Sequence, residues 1–157
     1  MKQRGYLINE TGSLPVGLWR MTPVRTALAR GTVVSICPPN TAAFSQAYQR
    51  GYLSKGRCAS GFEPLLKPLA AIPGDEIEII PEGIQVNGVL IQNSARLLTD
   101  VQGRPLPQVP QGKFRVGQGD IWLIATQNAR SFDSRYFGPL PVTAIEGIAE
   151  PILTSKE

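Results

Sequence analysis

A chain of 157 residues has the size of one domain with a substantial hydrophobic core. Its net charge of +4 comes from scattered lysines and arginines without a basic run, which argues against nucleic-acid binding. No apolar run reaches the roughly 18 residues that span a bilayer, so we expect a soluble chain, or the soluble part of a longer protein. Fourteen prolines and sixteen glycines separate short apolar runs, which favours an all-β fold.

The first predicted elements bring a serine to a bend. Residues 6–9 are predicted as a short strand, and the Thr-Gly-Ser sequence at 11–13 as a turn after it. Pro15 and Gly17 change the chain direction again, and this geometry can hold the hydroxyl of Ser13 away from the bend.

Two cysteines, Cys37 and Cys58, bracket the one stretch with a clear helical pattern. Residues 41–50 predict a helix that is capped by Asn40 and stopped by Gly51. A disulfide between the cysteines would stabilise the fold by about 3 kcal/mol in an oxidising compartment. The alternative is two reduced, buried cysteines in a cytosolic protein. With two thiols and no histidine, we expect no metal site.

A lone cation, Lys67, interrupts the apolar strand predicted at 65–72. Apolar neighbours on both sides would desolvate its ammonium group, which lowers the pKa of a lysine and favours the neutral amine. Because the chain has no histidine, a base near neutral pH must be a lysine, a carboxylate, a tyrosine or the N-terminus. The alternative is that Lys67 lies on a half-buried strand with its head in water.

The second half of the chain is predicted to contain strands, one tight hairpin and one long loop. Asn87-Gly88 is a strong type I′ turn signal, and the proline-rich stretch at 93–111 is a surface loop of unusual length. The predicted elements are a strand after Asp75 at 76–80, the hairpin at 84–91, a central strand at 120–126 and a final strand near 144–152. In the central strand, Trp122 and Ile124 face opposite to Ile121 and Leu123.

Four sequence blocks resemble the bacterial type I signal peptidases, which are Ser/Lys-dyad proteases of the S26 class. They are Thr11-Gly-Ser-Leu-Pro, Arg30-Gly-Thr-Val-Val, Lys67-Pro-Leu-Ala-Ala-Ile-Pro-Gly-Asp and Ser131-Phe-Asp-Ser-Arg-Tyr-Phe-Gly. The resemblance covers most of the chain and implies a signal-peptidase-like catalytic β-fold with one short helical insertion at about 38–57. It further implies a single periplasmic catalytic domain over 1–157, with a helical cap at 37–58 and a hairpin and loop extension at about 81–118.

The same resemblance implies a catalytic serine and its base. Ser13 would be the nucleophile and Lys67 the general base that accepts its proton. The Ser13 N–H and the Thr11 hydroxyl would form the oxyanion hole, although Thr11 can also be a simple turn residue. Ser131 would orient the lysine.

Asp133 and Arg135 would pair and buttress the site. Taken without the surrounding block, these two residues can equally be an ordinary surface ion pair. The block match favours the supporting role.

Within this class the run from Asn9 to Trp19 resembles the conjugative-transfer peptidases of the TraF type, as do the ends of the insertion at Cys37 and Cys58. The resemblance implies processing of the pilin precursor of a conjugation apparatus, in some cases with cyclisation of the pilin. It implies no cofactor. Pro68 departs from the family, because a basic residue commonly follows the lysine there.

The expected partner is a propilin or preprotein substrate, bound as an extended strand between the segments before Ser13 and before Lys67. The full-length protein is expected in the periplasm, held at the inner membrane by an anchor absent from this chain. Two alternatives stay open: a general type I signal peptidase, and a non-enzymatic periplasmic assembly module. A self-cleaving repressor is disfavoured, because only twelve residues precede Ser13.

Overall fold

The computed structural model describes residues 5–155, and these residues form mainly β-strands, which confirms the all-β prediction. The domain range predicted at 1–157 extends past the described residues at both ends. In chain order the elements are β1 (Tyr6–Asn9), β2 (Gly17–Thr22), β3 (Val33–Ile36), α1 (Ala42–Gln49), β4 (Leu65–Ala71), β5 (Glu76–Ile80), β6 (Gly83–Val86), β7 (Val89–Leu90), β8 (Gly112–Arg115), β9 (Asp120–Leu123), α2 (Ser134–Phe137), β10 (Leu140–Pro141) and β11 (Ile145–Thr154), with a short 3₁₀ turn at Val142–Ala144.

The strands of the described chain form two antiparallel sheets. The larger has the order β1-β2-β11-β3-β4-β9-β10, and the smaller has the order β7-β6-β5-β8. The smaller sheet is built from residues 76–115, and its β6–β7 hairpin turns at Asn87 and Gly88 with φ values of 50° and 82°. Positive φ at both central residues is the signature of the type I′ turn, as the sequence predicted.

Strand β9 and the residues after it lie between two hydrophobic cores. Ile121 and Leu123 belong to the core beneath the insertion, whereas Trp122 and Ile124 belong to the core of the smaller sheet. This confirms the two-faced pattern predicted for the strand, in which successive side chains point to opposite faces.

The insertion is fastened to the body by covalent and apolar contacts. Cys37 and Cys58 are joined by a disulfide with a Cα–Cα distance of 5.6 Å. Between them, Phe44, Ala47 and Leu53 are buried in the core that contains β9. The insertion is therefore part of the core and does not hang from the surface.

The start of α1 corrects the sequence interpretation. The N-cap is Thr41 rather than Asn40: Thr41 is extended at φ −118°, and its hydroxyl accepts a 3.5 Å hydrogen bond from the Phe44 N–H. Asparagine and threonine are both favoured N-cap residues, so residue type alone does not decide which of the two begins the helix. Within residues 5–155 the helices are all too short to cross a membrane.

Candidate active site

Ser13 lies in the loop that joins β1 to β2. These strands pair antiparallel up to Asn9 opposite Gly17, so residues 10–16 form the closed end of a hairpin. Gly17 has φ 142°, and a β-carbon there would overlap the Leu153 carbonyl group of β11. This close approach favours glycine and sets where the loop leaves the sheet.

Lys67 lies on β4, where it pairs with Val34 of β3 and is only 6 % exposed. Its Nζ donates to Ser131 Oγ at 2.7 Å and to Ser13 Oγ at 3.2 Å. The two serine oxygens are themselves 2.9 Å apart. The structure thus brings together three of the residues that the sequence singled out, from three distant parts of the chain.

The pKa of Lys67 is lowered from 10.5 to about 8, chiefly because burial removes water from the ammonium group. The nearby carboxylate of Asp133 raises this pKa and the guanidinium of Arg135 lowers it, so the ion pair has opposing influences on the lysine. A lysine with a pKa near 8 is a competent proton acceptor in weakly alkaline solution.

Asp133 and Arg135 form a buried pair beside these serines, and both side chains are fully excluded from solvent. The carboxylate accepts the N–H groups of Ala125 and Arg135 and two guanidinium bonds at 2.8 and 2.9 Å. The guanidinium also donates to the carbonyl oxygens of Asn93, Ala129 and Ala125. Because so many backbone groups depend on it, this pair fixes the segment that carries Ser131 against the end of β9.

Thr11 lies in the exposed part of the serine loop, and its hydroxyl donates to Asn9 Oδ1 at 2.9 Å. Donation to a substrate oxyanion would therefore require this bond to break. The sequence did not single out Asn9 for a role of its own. An asparagine between a strand and a turn is a recognisable signal, because its side chain readily bonds the backbone two residues on.

A groove of about 700 Å³ passes over Ser13 and Lys67. One wall is the β1 end and serine loop at 7–13, and the other is the segment at 63–67. The disulfide-closed insertion adds Tyr52, Ser54 and Arg57. Arg57 is held by two bonds to Glu146, which lower the pKa of that carboxyl group, although burial opposes the shift. Residues 5–155 contain no cluster of three or more histidine, cysteine or carboxylate side chains that could hold a metal.

The family model described as signal peptidase, peptidase S26, matches residues 6–154. The chain belongs to this peptidase family, which confirms the resemblance found in the sequence.

The curated relatives indicate which members of the peptidase family this chain is similar to. A probable conjugal transfer protein TraF of Sinorhizobium fredii is 41% identical over 96% of this chain and 78% of its own length. A plasmid transfer protein TraF of Escherichia coli is 36% identical over 96% of this chain and 84% of its own length. Among solved structures, a signal peptidase I from Enterococcus faecalis aligns with 78% of this chain and 97% of its own, at 19% identity and a TM-score of 0.44.

Proposed function

We propose that this chain is a serine endopeptidase that uses a Ser13–Lys67 dyad to process the pilin precursor of a conjugative transfer system. The observation that carries the proposal is the buried contact between Lys67 Nζ and the Oγ atoms of Ser13 and Ser131. A hydroxyl becomes a nucleophile at neutral pH when a positioned base takes its proton, and Lys67 is the base within reach.

The chemistry follows from this contact. The neutral Lys67 amine takes the Ser13 proton as Oγ attacks the scissile carbonyl carbon, and the resulting ammonium returns the proton to the departing amine. The Ser13 N–H would bind the oxyanion, and Thr11 would join it only after releasing Asn9. Ser131 holds the lysine head toward the nucleophile. The acyl-enzyme then transfers its acyl group to water, which is hydrolysis, or to an amine, which is cyclisation.

The groove supports an extended substrate. Its two walls, at 7–13 and 63–67, include the segments that precede Ser13 and Lys67. A peptide lying between them would add as a strand and present alternate side chains to the groove floor. Small residues at the cleavage site would fit this arrangement best.

The choice of a pilin precursor rests on the relatives, which are conjugal or plasmid transfer proteins by name. The second candidate is a general type I signal peptidase, which the family match alone would favour. Both candidates place the full-length protein at the periplasmic face of the inner membrane.

The test is cleavage of a purified propilin and a purified exported preprotein in parallel by the same chain. We expect the propilin to be processed, and Ser13→Ala and Lys67→Met to abolish processing, while Ser155→Ala, an exposed serine, retains it. Efficient cleavage of the preprotein alone would favour the general signal peptidase. Full processing by Ser13→Ala would exclude Ser13 as the nucleophile, and a wild-type chain that cleaves neither substrate would favour the non-enzymatic assembly module.

A further inference from the structure

The side chain of Asn9 occupies the inside of the loop that carries Ser13. It is 6 % exposed, and its amide has five hydrogen-bond contacts, of which the three from Nδ2 share two hydrogens. Its Nδ2 reaches the carbonyl oxygens of Thr11, Leu14 and Pro15, each at 3.1 Å. Its Oδ1 accepts the Thr11 N–H at 3.3 Å and the Thr11 hydroxyl at 2.9 Å.

These partners fix the orientation of the amide. The two donors of Thr11 contact Oδ1, and three carbonyl oxygens contact Nδ2. Rotating the amide by 180° would place Oδ1 against the carbonyl oxygens and Nδ2 against the donors. The partners also lie on both sides of Ser13 in sequence: Thr11 two residues before it and Leu14 one residue after it. One buried side chain thus ties together both arms of the loop.

The loop needs this support, because it holds its serine without regular structure. Trp19 Nε1 adds one bond to the Pro15 carbonyl oxygen, and the Ser155 N–H adds one to Val16. Both of these bonds restrain residues that follow Ser13 in the sequence. Asn9 is therefore the side chain that restrains the arm before Ser13 as well as the arm after it.

We infer that Asn9 is a positioning residue, which holds Ser13 Oγ within reach of Lys67, and that the Thr11 hydroxyl acts through Asn9. This inference rests on the proposed Ser13–Lys67 dyad. A displacement of about 1 Å at a reacting atom can lower a rate by about 10²-fold, so loss of the amide is felt in the chemical step. Asn9 has no part in the proton transfer itself.

Three substitutions separate the functions of the amide. Asn9→Ala removes all five bonds. Asn9→Asp keeps acceptors for Thr11 but turns a carboxylate toward the carbonyl oxygens of Leu14 and Pro15, which is unfavourable. Thr11→Val removes the hydroxyl and keeps the N–H bond.

The measurement is steady-state propilin cleavage across pH, with Tm recorded for each protein. For Asn9→Ala and Asn9→Asp we expect kcat to fall at least about tenfold with KM within about twofold, as for an interaction needed in the transition state. The midpoint of the pH profile should stay near that of the wild type, because burial and the Asp133–Arg135 pair, which set the pKa of Lys67, do not involve Asn9. If Asn9→Ala does not fold, Asn9→Asp carries the test.

The control is Ser94→Ala. Ser94 is 1 % exposed and ties the smaller sheet through bonds to the Ile84 N–H and the Ile91 carbonyl oxygen, so it reproduces the loss of a buried polar tie. We expect a lower Tm with an unchanged kcat. If Asn9→Ala keeps the wild-type kcat, or loses no more than this control, the positioning role is overturned.

The Thr11 part is tested by a double-mutant cycle. If Thr11 acts through Asn9, adding Thr11→Val to Asn9→Ala lowers kcat no further. Additive losses would mean that Thr11 contacts the oxyanion by itself. The dyad is tested separately, because cleavage of the propilin by Ser13→Ala would refute the proposed function. If the wild type and Asn9→Ala are equally active and Ser13→Ala is inactive, only the role of Asn9 is refuted.

Discussion

Lys67 combines two requirements that oppose each other. Its base function needs a neutral amine at working pH, and burial among apolar residues supplies this by lowering the pKa to about 8. The same burial makes the ammonium form costly in the folded protein. Activity and stability therefore respond to the proton on one atom.

The first prediction concerns the pH dependence of cleavage. With Lys67 as the base, kcat/KM should rise by about tenfold per pH unit below the pKa and level off above it, with a midpoint at about 8. The measurement is kcat/KM for a fixed propilin peptide from pH 6 to pH 10. A flat profile, or a decline through pH 8, would exclude Lys67 as the base.

The second prediction concerns stability. The folded-state pKa lies below the ordinary value of 10.5, so between about pH 8 and 10.5 the unfolded chain binds the extra proton and wild-type stability rises with pH. A shift of this size corresponds to about 3 kcal/mol. Lys67→Met removes the cost of burying the ammonium group. The free energy of unfolding of this variant should therefore exceed that of the wild type most at pH 7, and the difference should shrink by about 3 kcal/mol toward pH 10.5.

Urea unfolding of both proteins at pH 7 and pH 10 measures this difference. Lys67→Arg, which cannot lose its proton, serves as the opposite control and should be destabilised at both pH values. A Lys67→Met advantage that is the same at both pH values would contradict the assigned burial cost.

Among the individual residues, the sequence predicted those whose side chains could act as a nucleophile or a base. Ser13, Lys67 and Ser131 stand in recognisable blocks, and the structure brings them within 3.2 Å of one another. Asn9 could not be assigned in the same way. An asparagine before a turn predicts a bond to the backbone two residues on, but the bonds of Asn9 to Leu14 and Pro15 follow from the course of the loop in space, which local sequence does not determine.

Among the elements, the insertion, which lines the groove, contacts the long loop at 93–111. The Tyr52 hydroxyl of the insertion donates to Asp100 of the long loop at 2.5 Å, and Arg104 donates to the same carboxylate at 2.6 Å. Arg104 also donates to the Arg50 carbonyl oxygen, while Arg50 donates to the Pro105 carbonyl oxygen. Burial would raise the pKa of Asp100, but the hydrogen bonds from Tyr52 and Arg104 hold it below its ordinary value.

Because Tyr52 lines the groove, the third prediction links this contact to substrate binding. Asp100→Asn keeps the size of the side chain but removes its charge, which weakens the bonds from Tyr52 and Arg104. We expect a lower Tm and a higher KM for an extended peptide, with kcat within about twofold of wild type. Glu150→Gln is the matched control, since it weakens the exposed Arg20–Glu150 pair between β2 and β11 of the larger sheet.

Elements were predicted where their residues have a strong local preference. The β1 strand and the Asn87-Gly88 hairpin match the structure, because alternation and turn residues determine them locally. Strand β2 was missed, since Pro15 and Gly17 suggested continued turns, and pairing with β11 imposes its extended form. Helix α2 was missed because it is a single turn, capped by Asp133.

Across the whole molecule, the end of β9 joins the smaller sheet to the active-site segment. Trp122 and Ile124 pack in the core of that sheet, while the next residue, Ala125, bonds the buried Asp133–Arg135 pair through its N–H and carbonyl groups. Contacts of this kind make separate unfolding of the two parts unfavourable.

The fourth prediction uses the two tryptophans of the chain, one in each part. Trp19 is buried beside Leu14, and Trp122 lies in the core of the smaller sheet. Trp19→Phe leaves only Trp122 as a fluorescent reporter, and Trp122→Phe leaves only Trp19.

In each variant, tryptophan fluorescence and far-UV circular dichroism should give one coincident urea midpoint, as a two-state domain requires. Two separated midpoints within one variant would show that the sheets unfold as independent units.

Strand β9 also constrains how this sequence can vary. The residues from Ile121 to Ala125 are all buried, so the run has no solvent-facing position at which substitutions are cheap. Removing or inserting one residue would exchange the side chains of the two cores, because the strand repeat is two residues. In a library of variants this stretch should be uniformly intolerant, whereas the exposed pair Val89 and Leu90 should accept polar replacements freely.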